Sequence, residues 1–326
     1  MRVFRELWQF WCLDKPFFVL LQTDNFHDIN MKKLTFADWV IATRPWSFPA
    51  SVMPVMVSSV WMFVLGHGVN WWLALAAVVN IVLVHAGGNV WSDYHDFRRG
   101  VDREDTFGVK ILTSGQFTPK QVWWLSVSLQ MAAVAMGLVM VWLTGLTLLL
   151  FGIAGIALSL LYPPLKYHAL GDVVILLCYA VLPMLGTTFI VGGTVVPQVL
   201  WLAVPVGLIT VAILHANNTR DIETDARAHI HTFSMLTGRS VAIWIYVVEL
   251  LVPYLWLLGL VLGGWLAWPA LTALLSLPLA VGNVRQMLFC RSEGIKPMVR
   301  LDEATAKLQL AFSLLLIAGM FLSLAL

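Results

Sequence analysis

A chain of 326 residues that is 60% hydrophobic and only 12% charged has too little polar surface to coat a fold in water, which excludes a soluble globular domain. Its formal net charge of +2 gives no reason to expect a nucleic-acid partner. What these values leave is a protein embedded in a lipid bilayer.

Residues 1–33 form an N-terminal extension. The stretch MRVFRELWQFWCLDKPFFVLLQTDNFHDIN does not have the order of a secretory signal, because Asp14 and Lys15 interrupt its apolar part and no small-residue cleavage site follows. Two readings stand: an amphipathic segment lying on the cytoplasmic membrane surface, or translation that begins at Met31.

Residues 34–326 form the membrane domain. Crossing the hydrocarbon core takes about 20 apolar residues in a helix. Runs of that kind fall near 40–65, 71–92, 121–144, 146–162, 173–192, 197–216, 241–262, 265–289 and 305–325. The fold class expected is all-α, with nine transmembrane helices around a central cavity. Trp71, Trp72, Trp123 and Trp124 suit the interfacial belts at the ends of two of these runs.

Lys and Arg are retained on the cytoplasmic side of short loops. The connections LGHGVN, TG, VGGTVVP and GG hold no charged residue, whereas all 20 basic residues lie before the first span, at its start, or on the alternate connections. The expected topology is therefore multi-pass in the cytoplasmic (inner) cell membrane, with a cytoplasmic N-terminus and an external C-terminus.

Two of the cytoplasmic connections concentrate acid. NVWSDYHDFRRGVDRED, residues 89–105, ends the second span, and HANNTRDIETDARAH, residues 215–229, ends the sixth. In the first, Asn89 precedes Asp93 by four positions and Asp96 follows three later. In the second, Asn217 precedes Asp221 by four and Asp225 follows four later. Offsets of three, four and seven share a helix face, so each cluster aims a stripe of oxygen ligands in one direction. Motifs on the second and sixth spans suggest two similar four-helix halves plus a ninth helix.

Carboxylates converging in a partly dehydrated site stay ionised together only when a cation compensates them. An oxygen-only ligand set favours Mg²⁺, which bridges protein carboxylates to substrate phosphates. Arg98, Arg99, Lys110, Lys166 and Arg220 lie on the same side and suit an anionic head group. Apolar helices around such a site call for a ligand with a diphosphate head and a hydrocarbon tail, a polyprenyl diphosphate. A charge-rich loop alone is more often a solvated connection; the paired spacing is what argues for a site.

At these residues the chain resembles the UbiA superfamily of intramembrane prenyltransferases. Within it, ATRPWSFPASVMPV, SDYHDFRRGVD, LTSGQFTPKQV, YPPLKYHALGD and NNTRDIETD look closest to the dihydroxynaphthoate polyprenyltransferases of menaquinone synthesis. The resemblance implies a nine-helix fold and Mg²⁺-dependent transfer of a polyprenyl group from its diphosphate to an aromatic acceptor. It carries metal binding to Asp93, Asp96, Asp102, Asp221 and Asp225, and a role at the diphosphate and reacting centre to Tyr162 and Lys166. Arg44, Asn89, Arg98, Arg99, Asn217, Asn218 and Arg220 become substrate-binding candidates. The chain departs from the family at Ser92, where an Asn is usual and Asn89 one turn earlier offers the amide instead. It departs again at Ile230 and His231, where a basic pair is common. A different acceptor is the alternative within the class, and a secondary transporter is the alternative outside it.

Four further polar residues stand apart. Glu249, the one acidic residue deep in a span, is expected to make an interhelical hydrogen bond as the neutral acid. His85 and His215 are expected in polar helix packing, and His95 in a solvated loop.

Overall fold

The computed structural model describes residues 34–108 and 110–326; the N-terminal extension lies outside the described residues. A short helix α1, Phe36–Ala42, opens with a capping box in which the Thr35 hydroxyl and the Asp38 carboxylate satisfy each other's backbone N–H groups. The apolar run near 40–65, expected as one span, is broken next. Pro45 has no N–H and disfavours helical backbone at the residue before it, and Arg44 adopts the left-handed conformation at φ 57°. A 3₁₀ turn, Pro45–Ser47, then leads into α2, Pro49–Val64.

The remaining spans are α3 (Trp71–Arg98), α4 (Pro119–Thr144), α5 (Thr147–Lys166), α6 (Gly171–Gly192) and α7 (Leu200–Arg220). Two short helices follow, α8 (Ile222–Arg227) and α9 (Phe233–Thr237). Then come α10 (Arg239–Leu262), a 3₁₀ segment Trp268–Ser276 running into α11 (Leu277–Glu293), and α12 (Leu301–Leu322). Among the described residues, nine helices are long and apolar enough to cross a membrane. Both motif-bearing helices outrun their apolar stretches. Hydropathy registers the hydrocarbon layer rather than the helix, so α3 continues six residues past the run ending at 92 and α7 four past the run ending at 216.

Within α6, residues Leu177–Val181 form a π-helical turn. Pro183 follows two residues later, and its ring clashes with the carbonyl one turn back in a regular helix. The wider turn relieves that clash and brings Cys178, Tyr179 and Pro183 to the cavity wall.

α3 packs on α2, α4 and α5, while α7 packs on α6, α10 and α12. The dense core, with Met62, Met184, Ile209, Tyr246, Leu257 and Phe312 all fully buried, belongs to α2, α6, α7, α10 and α12. The outer surface is apolar instead: Trp72, Leu150 and Leu262 are exposed by 82%, 70% and 79%, as side chains that face lipid must be. On the other side of α2, helices α2 to α7 surround a cavity of about 680 Å³, to which the start of α12 adds an edge and α10 and α11 contribute no lining residue.

Candidate functional site

Gly100 shapes the first motif. At φ 69° it ends α3 with a paired closure in which its own N–H donates to Phe97 O (3.1 Å) and the Val101 N–H to Asp96 O (2.8 Å). The chain therefore turns back over its last helical turn, and the Asp102 N–H reaches the same Asp96 carbonyl at 3.3 Å. Asp93 and Asp96 stand on the buried face of α3, exposed by 2% and 6%.

Each of these carboxylates is held by a base from another element. Arg44, in its left-handed turn, donates through Nη2 to Asp93 Oδ1. Lys166 Nζ donates to Asp96 Oδ2 at 3.0 Å. In the second motif Arg220 makes a two-pronged pair with Asp221, both bonds at 2.8 Å, and reaches the Val299 carbonyl at 3.3 Å. Two donors that the sequence reading missed also serve Asp96: the Tyr167 hydroxyl at 2.7 Å and the Ser92 hydroxyl at 3.2 Å. The position of Tyr167 directly after the Tyr162–Lys166 element was the signal available for it.

The two motif loops meet. Val101 after the first motif, Tyr167 at the end of α5 and Ile230 after the second pack into one small apolar cluster. The His231 N–H donates to the Tyr167 carbonyl at 3.0 Å, and Arg227 bridges to Asp105 at 2.7 Å. Ile230 and His231, which differ from the usual basic pair, thus join the two loops.

Electrostatics carry the same message. Burial pushes the Asp225 carboxyl up to about 7, with Lys166 opposing and Asp221 and Asp96 adding to the rise. Burial likewise pushes Asp102 up to about 6, with Asp96 adding and Arg44, Lys166 and Lys110 opposing. Carboxylates of both motifs therefore sit in the field of one ammonium, that of Lys166.

The remaining candidates divide. Tyr162, Arg44, Asn89 and Asn217 line the polar end of the cavity. Asn89 donates to Thr43 O and Ser47 Oγ, both at 3.1 Å, which spends its amide nitrogen on the turn that carries Arg44. Asn218 points elsewhere, with Nδ2 3.5 Å from Asp172 Oδ1. Arg98 turns off the carboxylate stripe to contact Tyr94 (Nη1 to Oη 3.3 Å), because position 98 lies on the opposite flank of α3 from position 96. Arg99 stacks on the Tyr167 ring at 4.9 Å, beside Asp96. Lys110 pins its own loop through the carbonyls of Arg103 and Glu104. His95, expected in a solvated loop, is buried on α3 against Trp91. Glu249 has His215 as its near neighbour at 3.6 Å, a separation too long for the expected hydrogen bond.

Among the described residues, no three Asp, Glu, His or Cys groups already converge as a preformed metal cage. Mg²⁺ does not require one, since it is commonly held by one or two carboxylates together with substrate phosphates. The donor set fits it: Asp93 Oδ2 is buried without a hydrogen-bond partner, and the motif carboxylates are all oxygen ligands.

A helical membrane bundle with an apolar chamber closed at one end by carboxylates and bases is the architecture of an intramembrane enzyme for amphiphilic substrates. Residues 51–296 match the UbiA prenyltransferase family. The chain is 35% identical over 295 residues to "UbiA prenyltransferase domain-containing protein 1" of Danio rerio, covering 88% of this chain and 84% of that one. Among solved structures it is similar to a UbiA homolog from Aeropyrum pernix K1, with TM-score 0.63 and 15% identity over 90% of this chain and 100% of that one. It is also similar to a UbiA homolog from Archaeoglobus fulgidus bound to GPP and Mg²⁺, with TM-score 0.58 and 15% identity over 86% and 99%. The chain belongs to the UbiA prenyltransferase family, and with that the transporter alternative falls away.

Proposed function

We propose that the chain catalyses Mg²⁺-dependent transfer of a polyprenyl group from its diphosphate to an aromatic acceptor, with 1,4-dihydroxy-2-naphthoate as acceptor; its carboxylate leaves as carbon dioxide and the product is the reduced, quinol form of demethylmenaquinone. The observation that carries this reading is the meeting of both acidic motifs around Lys166 at the polar end of an apolar cavity. The A. fulgidus homolog bound to GPP and Mg²⁺ supports the donor and the metal.

Asp93, Asp96, Asp102, Asp221 and Asp225 would hold the metal, which when bound supplies charge neutralisation to a departing diphosphate. Lys166, Arg44, Arg99 and Arg220 offer the cationic contacts to the diphosphate oxygens. The helices of the cavity seat the prenyl tail and keep water from the allylic carbon, where it would compete with the acceptor. Tyr162 stands at the wall between the charged end and the apolar end.

Two buried atoms at that end lack partners: Arg44 Nε, a donor, and Asn217 Oδ1, an acceptor. A ring bearing both a carboxylate and a hydroxyl complements that pair, which favours a hydroxylated aromatic acid. In this reading the motif end faces the cytoplasm, the membrane is the cytoplasmic one and the N-terminus is inside; the one-sided distribution of basic residues supports it.

The test is product identification by mass spectrometry after incubating purified protein with Mg²⁺, a series of polyprenyl diphosphates, and dihydroxynaphthoate or hydroxybenzoate. A prenylated, decarboxylated naphthoquinol is the expected product. Prenylation of hydroxybenzoate alone would remove the acceptor assignment, and no covalent product with any acceptor would remove the whole reading.

A further inference from the structure

Behind the second motif, three ionisable side chains from three helices meet away from the carboxylates described above. They are Asp172 at the start of α6, His215 on α7 and Glu249 on α10. His215 is fully buried, and its Nδ1 lies 3.7 Å from Asp172 Oδ2 and 3.6 Å from Glu249 Oε1. Its Nε2 sits 3.0 Å from the carbonyl oxygen of Ala242.

A carbonyl oxygen only accepts, so Nε2 carries a hydrogen. Nδ1 then faces two carboxyl groups. With Nδ1 bare and both carboxylates ionised, a lone pair would point at two anions where little water reaches. Asp172 Oδ2, His215 Nδ1 and Glu249 Oε2 are all buried without a hydrogen-bond partner. One added proton resolves the conflict. Placed on Nδ1 it gives an imidazolium between two carboxylates; placed on a carboxyl it gives a neutral acid facing the Nδ1 lone pair. Either way a single proton is shared and a single negative charge remains. The titratable groups facing the cluster are the phenols of Tyr162 on the Asp172 side and Tyr246 on the Glu249 side.

The cluster also touches the site. Asn218 Nδ2 is 3.5 Å from Asp172 Oδ1, and its neighbour Asn217 lines the cavity with an unpartnered amide oxygen. We propose that Asp172, His215 and Glu249 form a second buried site that binds one shared proton and thereby positions the Asn217–Asn218 turn of α7. The positioning role rests on the prenyl transfer proposed above; the proton-binding role does not.

The test uses the full chain in lipid nanodiscs with ¹⁵N-labelled histidine, at pH 8, where a free imidazole of pKa about 6.5 has lost its proton. His215→Gln assigns the ring signals, and infrared difference spectra of Glu249→Gln and Asp172→Asn against the parent report carboxylic acid. The expected result is either a protonated Nδ1 or an acid carbonyl band that one of the two variants removes. A bare Nδ1 together with no such band overturns the site. In the transfer assay Glu249→Leu is expected to lose about tenfold in kcat, the scale of leaving a buried polar group facing an apolar side chain, while Glu249→Gln, which retains a polar group there, keeps several-fold more. Equal activity in those two variants overturns the positioning role. Should Glu249→Leu not fold, Glu249→Gln against His215→Leu gives the same comparison. Absence of any transfer by the parent protein strikes the proposed function and leaves the spectroscopic outcome intact.

Discussion

Lys166 Nζ donates to Asp96 Oδ2 at 3.0 Å although 70 positions separate the two residues, and the same ammonium lies in the field of Asp225. One cation from α5 thus serves both acidic motifs. Lys166→Met is expected to lower kcat/KM for the donor by on the order of 100-fold, the usual scale for removing one preorganised charge at a developing anion. Lys166→Arg should retain part of that activity. A loss of less than threefold in Lys166→Met would count against a role at the diphosphate.

Asp93 and Asp221 are each paired with an arginine, Arg44 and Arg220. Deleting either carboxylate outright leaves a cation that is partly or wholly buried without its partner, so Asn is the cleaner replacement. Asp93→Asn and Asp221→Asn should elute as the parent does on size exclusion yet lose Mg²⁺-dependent transfer. Chelation by EDTA should abolish the parent's activity, and added Mg²⁺ should restore it. Near-normal turnover in both variants would sink the metal assignment.

Gly152 and Gly155 line the cavity on α5, and a Cβ at either would meet no atom within 4 Å. A larger side chain there projects into the space assigned to the prenyl tail. Gly155→Leu is expected to reduce kcat/KM for long polyprenyl diphosphates several-fold more than for geranyl diphosphate. Competition between the two donors, with products weighed by mass spectrometry, measures the shift; an unchanged ratio places the tail elsewhere.

Gly319 brings α12 against the 3₁₀ segment before α11 so closely that an added Cβ would sit 2.2 Å from the Pro269 carbonyl oxygen. Gly259 on α10 has nothing within 4 Å of the same position. Gly319→Ala should destabilise by about 1–3 kcal/mol, the usual range for overpacking, whereas Gly259→Ala should be neutral. Thermal unfolding in one detergent compares them directly.

Asp105 and Arg227 tie the two motif loops together across exposed surface. The hydrogen bond from Arg227 holds the Asp105 carboxyl below the usual carboxylate range. A depressed carboxyl stabilises the fold above its ordinary pKa, near pH 4, and loses that contribution as pH falls through the depressed value. Both side chains are about half exposed, so solvent and salt screen the pair. Arg227→Gln should lower the unfolding temperature slightly at pH 7 in low salt, and the difference should vanish in high salt and shrink as pH falls below about 4. A difference that persists in high salt would point to packing instead.

The sequence alone determined what depends on neighbours along the chain. Nine apolar runs foretold the nine long helices found among the described residues, since a bilayer demands apolar length whatever the partners are. The three- and four-residue spacing of Asn89, Asp93 and Asp96 foretold a common helix face. The family resemblance was legible in the same short motifs.

Tertiary structure decided every pairing across helices. Arg98 and Arg99 are adjacent in sequence and alike in charge, yet one rests on Tyr94 and the other lies over Tyr167 beside Asp96. Arg44 reaches Asp93 only because Pro45 breaks the first span, and Tyr167 reaches Asp96 only because α5 ends against α3. Helical periodicity tells which residues share a face; it does not tell what that face meets. For the same reason the Asp172, His215 and Glu249 cluster, drawn from three separate helices, has no signature along the chain.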